Sequence, residues 1–437
     1  MTPTRQTNRV AMAILLAAWA VASVGGETAR AAVAVGPPAI LDRHALIEHV
    51  LALADERLAL MPSVAATKWV QGKPIADPER ETAVIQAATD RAGALGLAPQ
   101  PVAALFDLQV RLARELQASL HARWRRDGVK STTPSASLAG ELRPRLDRLT
   151  AEMLEAIYLA APLLADAGPV SDYAELARAR LPDDRWSEDD RTALLTTLWT
   201  IRGRGRATPE RARAAGMLRI GTPGDYAPFS IAAEGRLGGV EVELAAHLAA
   251  GLGLRPVYIQ SSWKGLMTDL AADHFDIAVG GISVTPARAA VAFFSKPIAH
   301  GGKTAVGRCA DRDRFGTLEA IDRPGVRVIE NAGGTNERFA TAQLHRATLA
   351  VHPDNRTVFE ELRVGRADVM FTDDTEIAFV TRRMPALCRL LNEVYDPADK
   401  AILMPADPAW RQAVDGWLAP ELERGTPARL LEEYLGR

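Results

Sequence analysis

The chain has 437 residues, of which 48% are apolar and 24% charged, with a formal net charge of −2. At roughly 100–200 residues per domain this length accommodates two or three domains, and the composition argues against disorder and against a field that draws nucleic acid. Two cysteines cannot build a four-thiolate zinc site, and the eight histidines show no close pair spacing, so no metal is expected.

Arg5 and Arg9 precede an apolar run from Val10 to Val24, and Ala29 and Ala31 supply small residues at a cleavage point. This layout predicts an export signal over residues 1–31, short for a membrane span; an uncleaved anchor is the alternative. Export implies an oxidising compartment and no stable membrane association after cleavage. Cys309 and Cys388 are then expected to pair, with buried free thiols as the other reading.

Residues 40–201 read as an all-helical bundle. Leu46, Ile47, Val50, Ala54 and Met61 recur at helical spacing behind Asp42, an N-cap candidate. Residues 99–126 form a second long helix, with Val102, Phe106, Val110, Ala113 and Leu120 on one face. Helical pattern continues over 146–164 and 173–201, and the Ser/Thr-rich stretch 129–140 is a loop. Arg202, Arg204 and Arg206 alternate with glycines and open a solvated linker over 202–215.

From residue 216 to 437 short apolar strands alternate with helices: 218–221, 256–259, 275–279, 326–329 and 368–371. That alternation predicts an α/β domain with parallel sheet, whose ligand binds beyond the carboxyl ends of the strands. The fold class expected from these patterns is multidomain, a helical bundle followed by an α/β domain.

In the helical half Arg57 falls on the apolar stripe, and Gln109 and Gln117 share the inward face of the second helix. Charged groups on such a face are rarely buried without a partner. With no inward acid evident, the arrangement suits an anionic ligand; an internal Arg–carboxylate pair is the alternative. The runs Glu56-Arg57-Leu58, Val64-Ala65-Ala66-Thr67-Lys68-Trp69 and Pro74-Ile75-Ala76-Asp77-Pro78-Glu79-Arg80 resemble the secreted all-helical chorismate mutases. The resemblance implies that Arg57, Lys68 and Gln117 are catalytic and that Arg80, Glu81 and Arg143 bind substrate. Arginines clamp carboxylates, and Lys68 suits the ether oxygen on which charge develops. Gln117 stands where secreted members carry Glu, and Ala113 where they carry Thr, which removes a ligand hydrogen bond.

In the second half, residues 224–229, 239–244, 280–288 and 333–336 resemble the periplasmic solute-binding proteins for polar amino acids. That resemblance implies two lobes about a cleft. Arg288 would hold a carboxylate with Ser283 and the backbone near Gly281, and Tyr226 and Trp263 would wall a flat ring. Gly334, Thr335 and Asn336 would present a helix N-terminus to an anion, and Asp373 would take an α-ammonium.

Asp373 and Glu376 share one face of a helix that opens at the cleft, where neighbouring carboxylates keep an acid protonated. A helix-end acid that merely complements the dipole is the alternative. Within this group the half is most similar to the periplasmic cyclohexadienyl dehydratases, on residues 302–304, 331–337, 351–355 and 372–376 and on the two cysteines. This implies Glu376 as proton donor, Lys303 and Asn331 as site residues, and Glu337 as a competing acid.

The expected function is a bifunctional exported, periplasmic enzyme without cofactor: chorismate to prephenate, then prephenate to phenylpyruvate, with arogenate to phenylalanine as a second reaction. Its partners are these small molecules, not nucleic acid, and a homo-oligomer is compatible. The alternatives are a mutase fused to a non-catalytic amino-acid-binding module, and an inert helical partner carrying the dehydratase.

Overall fold

The computed structural model describes residues 39–132, 136–203, 205 and 208–436; the predicted signal and the arginines 204 and 206 of the predicted linker lie outside them. The helical part comprises α1 (Arg43–Ala59), α2 (Met61–Val70), α3 (Pro78–Ala94), α4 (Pro99–Arg126), α5 (Arg143–Leu164), α6 (Ala174–Arg180) and α7 (Glu188–Thr200). The Asp42 carboxylate accepts from the Ala45 N–H at 2.7 Å and starts α1, as its sequence position suggests. Pro62 lies at the first turn of α2, so the periodic run from Leu46 to Met61 is two helices meeting at Leu60 rather than one. Asp77 caps α3 in the same manner, accepting from the Arg80 N–H. The stretch 173–201 is likewise divided, and Leu138–Leu142 of the expected loop is a short π-helix.

The described residues at both ends of the predicted linker, 202–203 and 208–215, are ordered parts of the fold rather than a solvated linker. Gly203 bridges Leu97, and Pro209–Ala215 forms α8, capped by Thr208 and ended by Gly216 at φ +69°. Arg211 on α8 is buried, with its guanidinium donating to the carbonyls of Leu95 and Gly205 and to Asp273 at 2.9 Å.

The first lobe holds a six-stranded sheet. Its strands are β1 (Ile40–Leu41), β2 (Met217–Thr222), β6 (Arg255–Gln260), β7 (Ile277–Ala278), β8 (Ala292–Phe294) and β15 (Leu403–Pro405), in the order β1-β6-β2-β7-β15-β8. A small sheet of β3 (Asp225–Tyr226), β4 (Ser230–Ala233) and β5 (Arg236–Gly238) lies beside it. Helices α9 (Val240–Gly251), α10 (Leu266–Ala271), α11 (Pro286–Ala289), α16 (Pro408–Glu423) and α17 (Thr426–Leu435) complete this lobe.

The second lobe has β9 (Ala299–Arg308), β10 (Arg327–Asn331), β11 (Thr348–His352), β12 (Val369–Asp373), β13 (Leu387–Arg389) and β14 (Tyr395–Lys400), with α12 (Leu318–Ile321), α13 (Thr335–Gln343), α14 (Val358–Arg363) and α15 (Asp374–Arg383). Its order is β11-β10-β12-β9-β13, with β14 also on β9. Both large sheets are mixed, because β9 and β15 run antiparallel to their neighbours. The purely parallel expectation missed these returning strands. The chain crosses between lobes at β8–β9 and again at β14–β15, where Ile298 N–H donates to Lys400 O and Ser295 N–H to Ile402 O.

The helical part and the first lobe share a core. The apolar cluster of α1–α7 runs without interruption into Ala215, Met217, Val257 and Ile259. Ile40 and Leu41, expected at the start of the bundle, instead pair in parallel with Tyr258 and Ile259 at the sheet edge. Successive strand residues face opposite ways, and accordingly Ile40 packs on the core of the first lobe while Leu41 packs on the helical core. Arg219 is fully buried between them: it pairs with Asp273 and Asp276, both at 2.8 Å, and lies over the Tyr158 ring of α5.

Candidate functional site

Two cavities gather the predicted residues. The first, about 770 Å³ and open to solvent, lies among α1–α5. Arg57, Lys68, Arg80, Glu81, Gln117 and Arg143 all line it. Helical spacing and tertiary packing thus bring six of the residues singled out in the helical half to one wall.

Their pairing departs from the expectation of unanswered cations. Arg80 contacts Asp147 at 2.6 Å, Arg143 contacts Asp77 at 3.3 Å and Arg114 contacts Glu81 at 3.4 Å. These pairs are partly exposed, so they contribute little and can be exchanged for a ligand. Arg57 has no acid partner among the described residues; it donates to the Leu146 carbonyl at 2.9 Å and to the Thr150 hydroxyl, and its Nε is unsatisfied. Burial pulls its pKa down to about 10, which leaves it charged. Lys68 is half-buried and donates to the Ile75 carbonyl at 2.5 Å; burial lowers its pKa, against Asp77 and Glu81. Gln117 donates to Ala113 O at 2.9 Å, and its Oε1 has no partner. Buried polar atoms are rarely left unpaired in a native protein unless something else fills the place.

The second cavity is narrow and lies in the cleft between the lobes. Tyr226, Trp263, Gly281, Ser283, Arg288, Asn331, Gly334, Thr335, Asn336 and Asp373 line it, as read from the sequence, together with Lys400, which was not. Tyr226 and Trp263 meet edge to face at 5.6 Å. Arg288 is buried, donates to Ser283 O at 2.9 Å and has no carboxylate partner among the described residues. Burial pulls its pKa down to about 10, so it remains a cation facing the cleft. Thr335 is the first residue of α13, behind Gly334 as N-cap.

Three expectations need correction. Asp373 is not free for an α-ammonium. Lys303 donates to one oxygen at 2.8 Å, and Lys400 and the Tyr226 hydroxyl donate to the other. Burial alone would raise its pKa, but the ammonium groups of Lys400 and Lys303 outweigh burial and hold it well below the usual range. The backbone near Gly281 is not free either: the N–H groups of Gly280 and Gly281 both donate to Glu241, at 2.6 and 2.8 Å. Gly281 is required instead by a φ of +74° and by the Tyr226 and Phe229 rings, which a Cβ would strike. Lys303 does not line the cavity; it stands behind it on β9, against Asp373.

Glu376 sits one turn into α15, almost fully buried, behind the wall that Asp373 forms. Burial pushes its pKa up to about 8, opposed by a hydrogen bond from Thr372 at 2.5 Å and reinforced by Asp373. The raised pKa therefore comes from desolvation first and the neighbouring carboxylate second, the reverse of the sequence argument. Asn336 donates to both Asn331 and Thr372 at 3.1 Å, so a run of side-chain bonds leads from the cavity to the acid. Glu337, the competing acid, accepts the Gly333 N–H at 2.5 Å and is engaged there. Lys400 could have been suspected as a cation directly preceding the apolar run 401–404. Glu241 and Thr372 carried no such signal. Cys309 and Cys388 form a disulfide between the end of β9 and β13.

Residues 218–437 match the bacterial extracellular solute-binding proteins, family 3, and residues 48–118 match chorismate mutase type II. The cyclohexadienyl dehydratase of Pseudomonas aeruginosa is 43% identical over 228 residues, 52% of this chain and 85% of that protein. The L-cystine-binding protein TcyJ of Escherichia coli K12 is 24% identical over 229 residues, again 52% and 85%. The crystal structure of an ancestral amino-acid-binding protein, a precursor of cyclohexadienyl dehydratase, matches with a TM-score of 0.49 and 28% identity, over 52% of this chain and 100% of that one.

Proposed function

We propose that this chain, which belongs to the bacterial extracellular solute-binding proteins of family 3 and carries a chorismate mutase type II unit ahead of that domain, converts chorismate to prephenate and prephenate to phenylpyruvate. The observation that carries the second step is a buried carboxyl, Glu376, whose pKa of about 8 keeps it protonated at neutral pH beside a cleft with an unpaired arginine.

In the first step one carbon–oxygen bond breaks and one carbon–carbon bond forms, with no atom gained or lost. Arg57, Arg80 and Arg143 hold the two carboxylates in the compact conformer, Arg80 and Arg143 exchanging their internal acids for the ligand. Lys68 and Gln117 donate to the ether oxygen as it gains charge. In the second step Arg288 and the N-terminus of α13 hold the carboxylates of prephenate. The bond to the ring carboxylate breaks, releasing CO₂, and its electron pair enters the ring as the hydroxyl departs. Glu376 protonates that hydroxyl, which leaves as water, and regains its proton from solvent. Asp373, held ionised by Lys303 and Lys400, stays a base too weak to compete for the proton. Arogenate would undergo the same elimination, with phenylalanine as product.

A purely solute-binding role for the second half is less well supported, because the carboxylate expected to receive an amino acid's ammonium is already engaged. Export to the periplasm is part of this reading, supported by the family and by the signal predicted over residues 1–31. Feeding chorismate to the purified mature chain tests the whole: prephenate should rise and decay as phenylpyruvate accumulates. Accumulation of prephenate alone would leave only the mutase.

A further inference from the structure

The mutase cavity holds a polar side chain that no step above uses. Gln109 lies on α4, is 2% exposed and lines the cavity. Both polar atoms of its carboxamide, Nε2 and Oε1, lack a hydrogen-bond partner among the described residues. A buried amide with neither atom satisfied costs free energy that an apolar residue of the same shape would not. The neighbouring unsatisfied atoms, Arg57 Nε and Gln117 Oε1, border the same space.

Gln109, Ala113 and Gln117 are spaced i, i+4, i+8, so they stand in a row on one face of α4. The middle residue offers the cavity only a methyl group. Gln117 Nε2 donates to the Ala113 carbonyl. Gln109 is therefore the group on that face whose donor and acceptor are both unspent. Its neutral amide can donate to a carboxylate and accept from a hydroxyl at any pH, which matches a hydroxylated dicarboxylate.

We infer that Gln109 is a substrate-binding residue of the mutase site, its Nε2 donating to a chorismate carboxylate and its Oε1 receiving the ring hydroxyl. This rests on the mutase reading of the helical half. It explains why the row on α4 functions without a polar group at position 113.

Gln109→Met keeps length and removes both hydrogen-bonding atoms. The variant should raise the KM for chorismate about tenfold or more with kcat nearly unchanged, as expected for binding lost equally from ground and transition states. Its melting temperature should equal or exceed that of the parent, and prephenate dehydration should be unaltered. Gln109→Glu places a charge against the substrate carboxylates, so its KM should climb as pH rises from 5 to 8 while the parent's does not. An unchanged KM in Gln109→Met, or a lowered melting temperature with KM retained, would overturn the assignment and make Gln109 structural. The parent protein in the same assay separates the two levels: no turnover of chorismate by the parent defeats the mutase reading and the inference with it, whereas normal parent turnover with an unaffected variant defeats the inference alone.

Discussion

Asp373 ends β12 and caps α15, and Glu376 lies three residues on in that helix, yet burial and neighbours drive their pKa values in opposite directions. That separation gives one neutral donor and one fixed anion, the usual sign of divided acid–base duty. Because the donor must be protonated, dehydratase turnover should hold up to pH of about 8 and fall above it; a profile flat to pH 10 would exclude Glu376 as the acid. The linkage has the opposite sense to an ion-paired carboxylate. As pH rises from the ordinary Glu value of about 4.3 toward 8, the unfolded chain releases a proton that the folded chain retains, so this residue costs stability over that window. Glu376→Gln removes the cost. It should raise the melting temperature near pH 7 while turnover drops about 10²–10⁴-fold and prephenate still binds. A mutant with normal turnover would move the role elsewhere. The pair itself was legible, since two acids one turn apart at a strand end are a local pattern. Lys400 was not, because its partner Asp373 is 27 residues away and the contact depends on the register of β14 against β9.

The two-residue strand β1 joins the helical part to the edge of the first lobe, and it places one side chain in each core. Leu41→Asp would put a charge against the helical core, and Ile40→Asp one against the lobe. Each should lower the melting temperature of the shared body, and in calorimetry the helical part and the first lobe should unfold in one transition, since their apolar cluster is continuous. Two resolved transitions for these parts would contradict the shared core. The disulfide lies in the other lobe and closes a sequence separation of 79 residues. By loop-closure entropy its reduction should cost that lobe at most about 4.5 kcal/mol. Reduction should therefore impair dehydration before it touches the mutase, which two activity assays in dithiothreitol would show. Helix periodicity over 99–126 located α4 to the residue. Two strand residues beside a helix cap carry no periodicity at all, so β1 could not be read that way.

The two cavities sit in differently built surroundings. The mutase cavity is enclosed by helices of the shared body, whereas the cleft is spanned by bonds between lobes: Tyr226 to Asp373, Asn355 to the Asp225 carbonyl, and Lys400 to Ser283. The second lobe is attached by two crossings, the arrangement in which hinge closure around a ligand occurs. Arg57→Ala should accordingly abolish chorismate turnover and leave prephenate dehydration within about twofold; equal loss of both would mean that the sites are coupled. The helical stripe with Arg57 and the Asp373–Glu376 face follow from neighbours within a turn, where periodicity acts directly, whereas Lys68, Arg80 and Gly281 were legible only through resemblance to known families. The pairing of Arg80 with Asp147, Glu241 with the Gly280 and Gly281 amides, Lys400 with Asp373, and Ile40 with Tyr258 joins residues 27 to 218 positions apart. Those partners are selected by strand register and helix packing, which exist only once distant segments have closed on one another, so no local pattern could name them.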